Sequence, residues 1–344
     1  MTAKGIAYLD ARLEKGSFQA TPDNPISWTE EFKVTQEEAE AFADPNFIIA
    51  GLIVQGQLHI IAAEPNGGKT TVFFYLAGEM VAKGFRVVYV HADVSAGDSK
   101  EFVEKAEKEG ISLLLPDMKV GKSMADIVAK LENQNKTASD LSGVVFIFDT
   151  LKKMADLINK SATKRIMSTL RGLTAKGATV ICLAHTNKYP DKNGRPVFEG
   201  TGDVRSDADN LIYLIPDKHS DGSMTVSVEP DKQRAALEKM SFKISPEREV
   251  TRLDEYQDIA GRKQAQNQKE KDQSVIEKVT VAIRAGKSKQ SDIIKDCKAN
   301  GLSERQSRNV LKRYAKGQAK LWNVRRGAEN NSLLYELCEN PLPL

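Results

Sequence analysis

The stretch IIAAEPNGGKTT, residues 60–71, decides how this chain is interpreted. An apolar run leads into two glycines, a lysine and a threonine, the pattern of a strand that turns through a phosphate-binding loop into a helix. Backbone NH groups at such a turn point at phosphates, and the helix dipole favours their charge. Ala63 stands where the usual pattern has its first glycine. We expect a methyl group to be tolerated there, because close approach to the phosphates falls on Gly67 and Gly68.

Different residues of the loop are expected to bind different parts of a nucleotide. Lys69 can reach the β- and γ-phosphates, and the hydroxyl of Thr70 can bind Mg²⁺. A chance GGKT in an unrelated turn is the alternative, but the strand before the loop and the helix after it argue against it. The candidate nucleotide-binding residues are Glu64, Pro65, Asn66, Gly67, Gly68, Lys69, Thr70 and Thr71.

The loop stands at the start of an alternating series of strands and helices. Besides the strand at residues 57–63, the short apolar runs that predict buried strands are residues 86–93, 143–150, 178–185 and 210–216. The helical patterns between them cover residues 70–83, 99–109, 123–133 and 162–176. This alternation predicts an α/β fold with a mainly parallel sheet. Alternating patterns at residues 224–230 and 238–244 predict an antiparallel hairpin that closes the sheet.

Composition excludes several classes of protein. The 344 residues are 40% hydrophobic and 28% charged, which is ordinary for a globular protein. No apolar run approaches the roughly 20 residues that a membrane span needs, and the N-terminus lacks a secretory pattern. We therefore expect a cytoplasmic protein with no membrane partner. The three cysteines are widely spaced, so we expect free thiols and neither disulfides nor a zinc site.

The C-terminal quarter of the chain carries the basic charge. Residues 260–344 contain 18 Lys and Arg against 9 Asp and Glu, whereas residues 1–259 contain 32 against 38. A small basic domain on an acidic chain favours contact with an anionic polymer. Three amphipathic stretches and an alternating pair follow a polar segment, in the order of a winged helix. The predicted divisions are a lead-in or arm at 1–48, an ATPase domain at 49–253, a polar linker or helix at 254–273, and a winged-helix domain at 274–344.

Two aspartates follow apolar strands and are candidate catalytic carboxylates. Asp149 is the second-to-last residue of the run at residues 143–150, where it can hold Mg²⁺ or its water, although it could instead cap the next helix. Hydrolysis also needs a group that orients or deprotonates water, and Asp93, at the end of residues 86–93, is our candidate. Glu64, inside the phosphate loop, is a weaker second candidate for that role.

Six ordered segments resemble the RecA-fold ATPases, particularly the RepA-like and DnaB-like hexameric helicases. The segments are AEPNGGKTT, VVYVHAD, VVFIFDT, TVICLAHTNK, GTGDVRSDADNLIYL and DKQR, and the resemblance covers residues 46–244. It implies a RecA-like core that assembles head to tail into a ring, a homo-oligomer of hexamer type. It also implies ATP and Mg²⁺ as cofactors, with ATP held between neighbouring subunits.

The resemblance assigns further roles to single residues. His185 matches a polar sensor of the γ-phosphate, although it could be an ordinary buried histidine at a strand end. Lys232 and Arg234 match basic residues that reach into the ATP site of the next subunit, although they could form a solvated basic turn. The family usually has glutamate at the position of Asp93, and the shorter side chain predicts slower hydrolysis.

Two loops and the winged helix are the candidate DNA contacts. In the resemblance, loops after Asp149 and His185 face the centre of the ring, where single-stranded DNA passes. The third helix and the wing of the winged helix add basic residues, although winged helices also dock proteins. The candidates are Lys152, Lys153, Lys188, Tyr189, Lys192, Arg195, Arg305, Arg308, Lys312, Arg325 and Arg326.

These residues favour an ATP-driven, ring-forming DNA motor such as the replicative helicase of a phage or mobile element. An ATP-gated DNA-binding regulator, or a recombination accessory ATPase that does not unwind DNA, is the second hypothesis. A winged-helix DNA binder with an inactive ATPase core is the third.

Overall fold

The computed structural model describes residues 29–30, 33–36, 46–189, 191, 196–200, 202–317, 320–328 and 332–338. Most of the predicted 1–48 arm lies outside these residues. The chain divides into two compact units, with the boundary between Ile259 and Ala260. This boundary falls within the segment at 254–273 that the sequence assigns to a linker or polar helix.

The first unit is built on a nine-stranded sheet of order β11-β10-β9-β8-β3-β7-β6-β4-β5. Pairing is parallel from β8 through β5 and antiparallel from β8 to β11. Its strands are β3 (Leu58–Ala63), β4 (Arg86–His91), β5 (Ser112–Leu114), β6 (Val144–Asp149), β7 (Thr179–His185), β8 (Asn210–Lys218), β9 (Met224–Lys232), β10 (Met240–Ile244) and β11 (Val250–Leu253). Two short strands, β1 (Phe47–Ile49) and β2 (Ile53–Val54), form a separate pair.

Helices on both faces bury the sheet. The helices of this unit are α1 (Lys69–Ala82), α2 (Ala96–Glu109), α3 (Met124–Thr137), α4 (Lys160–Ala175) and α5 (Gly202–Asp207). Ile61 of β3 packs in one core cluster with Phe73 of α1, and Ile60 packs in a second cluster with Leu170 of α4. Because successive strand residues point to opposite faces, both faces of β3 need apolar side chains. All six residues of β3 are buried.

The predicted fold class is confirmed. The five predicted strands, the four predicted helices and the hairpin are all present within a few residues of their expected limits. The sequence-based prediction missed β1, β2, β5 and β11. These strands have only two to four residues each, too few for a periodic pattern to stand out. Among the described residues, no helix is both long and apolar enough to cross a membrane.

The second unit has the helix, helix, helix, hairpin order predicted for a winged helix. Its elements are α6 (Ile259–Arg284), α7 (Gln290–Ala299), α8 (Glu304–Arg313), β12 (Trp322–Arg326) and β13 (Leu333–Leu337). Gly301 follows the end of α7 with a φ of +83°, and the Ser303 hydroxyl accepts a hydrogen bond from the Gln306 NH at the start of α8. Val310, Leu311 and Tyr314 of this region are buried in the core of the unit.

Candidate functional site

The phosphate loop runs from the end of β3 to the start of α1. Ala63 is still a regular strand residue, paired in parallel register with His185 of β7. Its backbone at this position therefore needs no glycine. The left-handed conformations fall later, at Asn66 with a φ of 56° and at Gly68 with a φ of 81°.

Both glycines of the loop are required by their surroundings. A Cβ atom on Gly67 would lie 2.8 Å from the Glu64 carbonyl oxygen, which is closer than real Cβ atoms approach. A Cβ atom on Gly68 would lie 2.8 Å from the Ile244 side chain, at a φ that disfavours any side chain. The loop is thus folded tightly on itself and against β10.

Lys69 lies at the start of α1 and turns back over the loop. Its Nζ donates to the Glu64 carbonyl at 3.1 Å and to His185 Nδ1 at 3.4 Å. Burial lowers the pKa of Lys69, while the charge of Asp149 opposes that shift. Burial and then the charges of Lys69 and Lys152 lower the pKa of His185. A neutral His185 can accept a hydrogen bond from the Lys69 ammonium group at Nδ1, so these two residues form one polar unit at the loop.

Asp149 lies directly beside the loop, at the end of β6. The Thr70 hydroxyl donates to Asp149 Oδ2 at 2.7 Å, and the Tyr89 hydroxyl donates to the same oxygen at 2.9 Å. His91 Nδ1 is buried 4.0 Å from Asp149 Oδ2 and has no hydrogen-bond partner among the described residues. Hydroxyl and carboxylate oxygens are the ligands that Mg²⁺ prefers, so Thr70 and Asp149 fit a magnesium site.

Asp93 lies outside this cluster of contacts. It follows β4 by two residues, and its exposed carboxylate forms an ion pair with Lys153 at 3.2 Å. Its charge nevertheless acts on the pKa of both Lys69 and His185. Glu64, the second candidate for water activation, is also exposed. Asp93 is therefore exposed to solvent and paired with Lys153, one of the candidate DNA-binding lysines.

Lys232 and Arg234 lie at the opposite edge of the sheet. Lys232 ends β9 and pairs with Leu211, near the amino end of β8, whereas the phosphate loop follows the carboxyl end of β3. The six residues of β3 span about 20 Å at roughly 3.3 Å per residue. Within one chain, Arg234 and Lys69 therefore cannot contact the same phosphate.

The basic pair at this edge is held by contacts within the chain. The Lys232 ammonium donates to the carbonyl oxygens of Arg205, Ser206 and Ala208 near the end of α5. Arg234 Nη1 pairs with Asp209 Oδ1 at 2.8 Å. Arg171 pairs with the other oxygen of the same buried carboxylate at 2.5 Å. Asp209 thus keeps a second guanidinium partner if Arg234 turns away.

The loop candidates for DNA contact are exposed. Lys152 and Lys153 lie in a single 3₁₀ turn, Leu151–Lys153, directly after Asp149 and Thr150. Tyr189 has 74% of its surface exposed, and the Lys188 ammonium lies 5.6 Å from the centre of its ring. Lys192 and Arg195 lie outside the described residues.

The winged-helix candidates occupy the exposed side of α8 and the hairpin. Arg305, Arg308 and Lys312 are all exposed. In the hairpin, Arg325 forms an ion pair with Glu336 at 2.8 Å, and Arg326 is exposed. The arrangement offers a row of cations on α8 beside the wing.

Comparison with known proteins agrees with the geometry of the phosphate loop. Residues 29–191 match the family model described as AAA domain. This region is a P-loop ATPase domain. The ATPase domain implies ATP as ligand, typically with Mg²⁺. The match ends before Lys232, Arg234 and the helices and hairpin of the second unit.

No curated protein matches the chain significantly. Among solved structures, the flagellar accessory protein FlaH from Methanocaldococcus jannaschii is similar at 19% identity. The similarity covers 60% of this chain and 92% of FlaH, with a TM-score of 0.41.

Sequence reasoning missed Tyr89 and Asp209. In the sequence, Tyr89 looks like one more apolar position of a buried strand. Its hydroxyl contacts Asp149 on the neighbouring strand β6, which only the folded sheet shows. Asp209 precedes a strand, where an aspartate usually reads as a turn residue. Its burial follows from long-range contacts with Arg171, Arg234 and the Leu58 NH.

Proposed function

We propose that this protein is an ATP-hydrolysing, ring-forming motor on DNA, of the replicative helicase type. The observation that carries the proposal is the placement of Lys69 and Arg234 at opposite edges of one sheet. Half of a catalytic site at each edge is the arrangement expected of a head-to-tail assembly, in which every site is completed by the next copy.

In this proposal each residue acts on a different part of the nucleotide. Lys69 and the loop NH groups hold the phosphates. Thr70 and Asp149 would hold Mg²⁺, which neutralises charge on the phosphates when it is bound. Arg234 of the next copy stabilises charge that develops on the transferred phosphoryl group. His185, already bonded to Lys69, responds to the presence of the γ-phosphate.

The DNA-binding part of the proposal rests on exposed cations near these elements. Lys152 lies three residues after Asp149 and acts on the pKa values of Lys69 and His185. A DNA phosphate at Lys152 would therefore be coupled electrostatically to the nucleotide site. Tyr189 offers an exposed ring on which a base of single-stranded DNA can stack.

A second function, an ATP-gated DNA-binding regulator without unwinding activity, is favoured by the contact between Asp93 and Lys153. An aspartate whose carboxylate is held by a lysine is less available to contact an attacking water than a free glutamate, which supports slow turnover. Slow turnover suits a switch better than a motor.

Strand displacement on a forked DNA with ATP separates the two functions. We expect unwinding by the unmodified protein and its loss in both Lys69→Ala and Arg234→Ala. Arg205→Ala is the matched control, because Arg205 is a nearby exposed arginine that pairs with Asp231 instead of Asp209. ATP-dependent DNA binding without displacement would replace the motor with the regulator.

The mass of the assembly in solution tests the ring itself. We expect a discrete oligomer that forms or tightens when ATP and Mg²⁺ are added. A monomer under all conditions, measured by light scattering up to high protein concentration, would contradict both the ring and the composite site.

A further inference from the structure

We infer that Tyr89 is a positioning residue for Asp149, the carboxylate of the magnesium site. This inference rests on the ATP site of the proposed function and does not depend on DNA or on ring formation. No step of the hydrolysis reaction passes through Tyr89 itself.

The register of the sheet brings the two side chains to one face. In the parallel pair β4–β6, His91 lies opposite Asp149, and Tyr89 lies two residues before His91. Tyr89 and Asp149 therefore extend from neighbouring strands on the face that packs against α1. The Tyr89 ring is fully buried there, with its centre 5.3 Å from that of Phe74 in α1.

A buried tyrosine usually finds some acceptor for its hydroxyl, so the bond alone does not distinguish a functional role. What points to a functional role is the particular oxygen atom that accepts the bond. Tyr89 and Thr70 both donate to Asp149 Oδ2, so two hydroxyl hydrogens converge on one carboxylate oxygen. With its hydrogen directed at Asp149, Thr70 has the lone pairs of its oxygen free to face a cation.

Tyr89 holds the Asp149 carboxylate in the orientation in which Oδ2 also accepts the hydrogen bond from Thr70. The Tyr89 hydroxyl donates to Asp149 Oδ2 at 2.9 Å from within the core. Its ring cannot move away, because the side chain is enclosed by the core. The residue thus acts on the cation only through the orientation of Asp149 and Thr70.

The Tyr89→Phe variant tests this inference, because it removes the hydroxyl and keeps the ring that packs against Phe74. Binding of a fluorescent ATP analogue is measured in EDTA and then across a Mg²⁺ titration. We expect unchanged affinity in EDTA and a roughly ten- to hundredfold higher Mg²⁺ concentration at half effect, the range typical when a partner of a metal ligand is lost. ATP hydrolysis should fall at low Mg²⁺ and recover at high Mg²⁺.

Tyr75→Phe is the matched control. Tyr75 also lies in this domain and donates to a carboxylate, that of Glu79 at 2.7 Å, but it does so on the protein surface. We expect its Mg²⁺ titration to match that of the unmodified protein. Far-UV circular dichroism and urea unfolding report whether either variant is folded.

Two outcomes would overturn the inference. An unchanged Mg²⁺ titration in folded Tyr89→Phe would leave the hydroxyl without a positioning role. An equal loss of affinity in EDTA and in Mg²⁺ would assign Tyr89 to packing of the loop. A double variant with Thr70→Ala adds an independent check, because two residues that act through one oxygen should show non-additive effects. Additive effects would also count against the inference.

Discussion

Charged residues cluster at both edges of the central sheet, the carboxyl edge at the carboxyl ends of the parallel strands and the amino edge at their amino ends. The two edges differ in the partners that these charges find. At the carboxyl edge, Lys69 is bonded to main-chain oxygens and a neutral histidine, and Asp149 accepts only hydroxyl hydrogens in the described contacts. At the amino edge, Asp209 pairs with two arginines. The first edge keeps its charges available for a ligand, whereas the second satisfies them within the chain. Substitutions of Asp209 at the amino edge should therefore affect stability within the chain, and those at the carboxyl edge should affect chemistry within the chain, whereas the proposed role of Arg234 lies in the site of the next copy.

The largest expected effect is the loss of the Asp209 charge. Asp209→Asn leaves two guanidinium groups without their shared carboxylate, and we expect the free energy of unfolding to fall by about 3 kcal/mol. This is the lower end of the range for a broken buried pair, because both arginines are partly exposed. Urea denaturation measures the change. Asp231→Asn, at a more exposed ion pair with Arg205, should cost less than about 1 kcal/mol. If both variants lowered the free energy of unfolding equally, the two arginine contacts of Asp209 would not contribute more to stability than a surface ion pair.

The Lys69→Ala variant probes the other edge. We expect ATP hydrolysis to fall by about a hundred- to a thousandfold, because a preorganised cation at the phosphates is lost. The free energy of unfolding should change little or rise, since burial opposes the charge of Lys69. Lys100→Ala, at a surface pair with Glu104 on α2, is the control for both measurements. If Lys69→Ala greatly lowered the free energy of unfolding and left ATP hydrolysis unchanged, the carboxyl edge would serve stability and not chemistry, contrary to the comparison of the two edges.

His59 makes the amino edge sensitive to acid. The residue is fully buried, donates through Nε2 to the Val54 carbonyl, and accepts from Asn210 at Nδ1. Burial lowers its pKa from 6.5 to about 4. Below pH 6.5 the unfolded chain binds a proton that the folded chain refuses, so this contribution to stability is present above pH 6.5 and is lost as the pH falls towards 4.

At pH 5 this loss amounts to about 2 kcal/mol. Urea denaturation at pH 7.5 and pH 5 should show it in the unmodified protein and show less of it in His59→Gln. Exposed His219→Gln should retain the full pH dependence. The same slope in all three proteins would exclude His59 as its source.

The smallest expected effect concerns the ion pair between Lys153 and Asp93. If Lys153 restrains the candidate base, Lys153→Met should raise ATP hydrolysis without DNA about two- to threefold, within the range of a partly exposed ion pair. Lys100→Met is the control, because it removes an exposed cation that pairs with Glu104 on α2 and leaves this ion pair in place. Steady-state hydrolysis decides the matter, and a decrease in Lys153→Met alone would indicate that Lys153 assists the reaction.

Local patterns in the sequence were sufficient to predict the α/β core. The glycines, lysine and threonine of the phosphate loop and the apolar strands are recognisable without any tertiary information, because they follow from backbone geometry and burial. Placement of Asp149 beside Thr70 also follows from the rule that carboxyl ends of parallel strands share an edge. The C-terminal unit was predictable for the same reason, since its helices carry clear amphipathic patterns and a capping serine.

Contacts between distant segments could not be predicted. Nothing near Asp93 in the sequence indicates that Lys153, on another strand's loop, holds its carboxylate. The role of Asp209 depends on an arginine 38 residues away. The hydroxyl of Tyr89 reaches a partner 60 residues away, through a register that only the folded sheet defines.

Mixing two inactive variants tests the composite site most directly. In a mixture of Lys69→Ala and Arg234→Ala proteins, a copy with intact Lys69 can adjoin a copy with intact Arg234, so about a quarter of the interfaces should regain both residues. ATP hydrolysis by the mixture should then exceed that of either variant alone. If hydrolysis stays at the sum of the separate variants although mixed oligomers form, Arg234 does not complete a neighbour's site, and the proposed ring mechanism is contradicted.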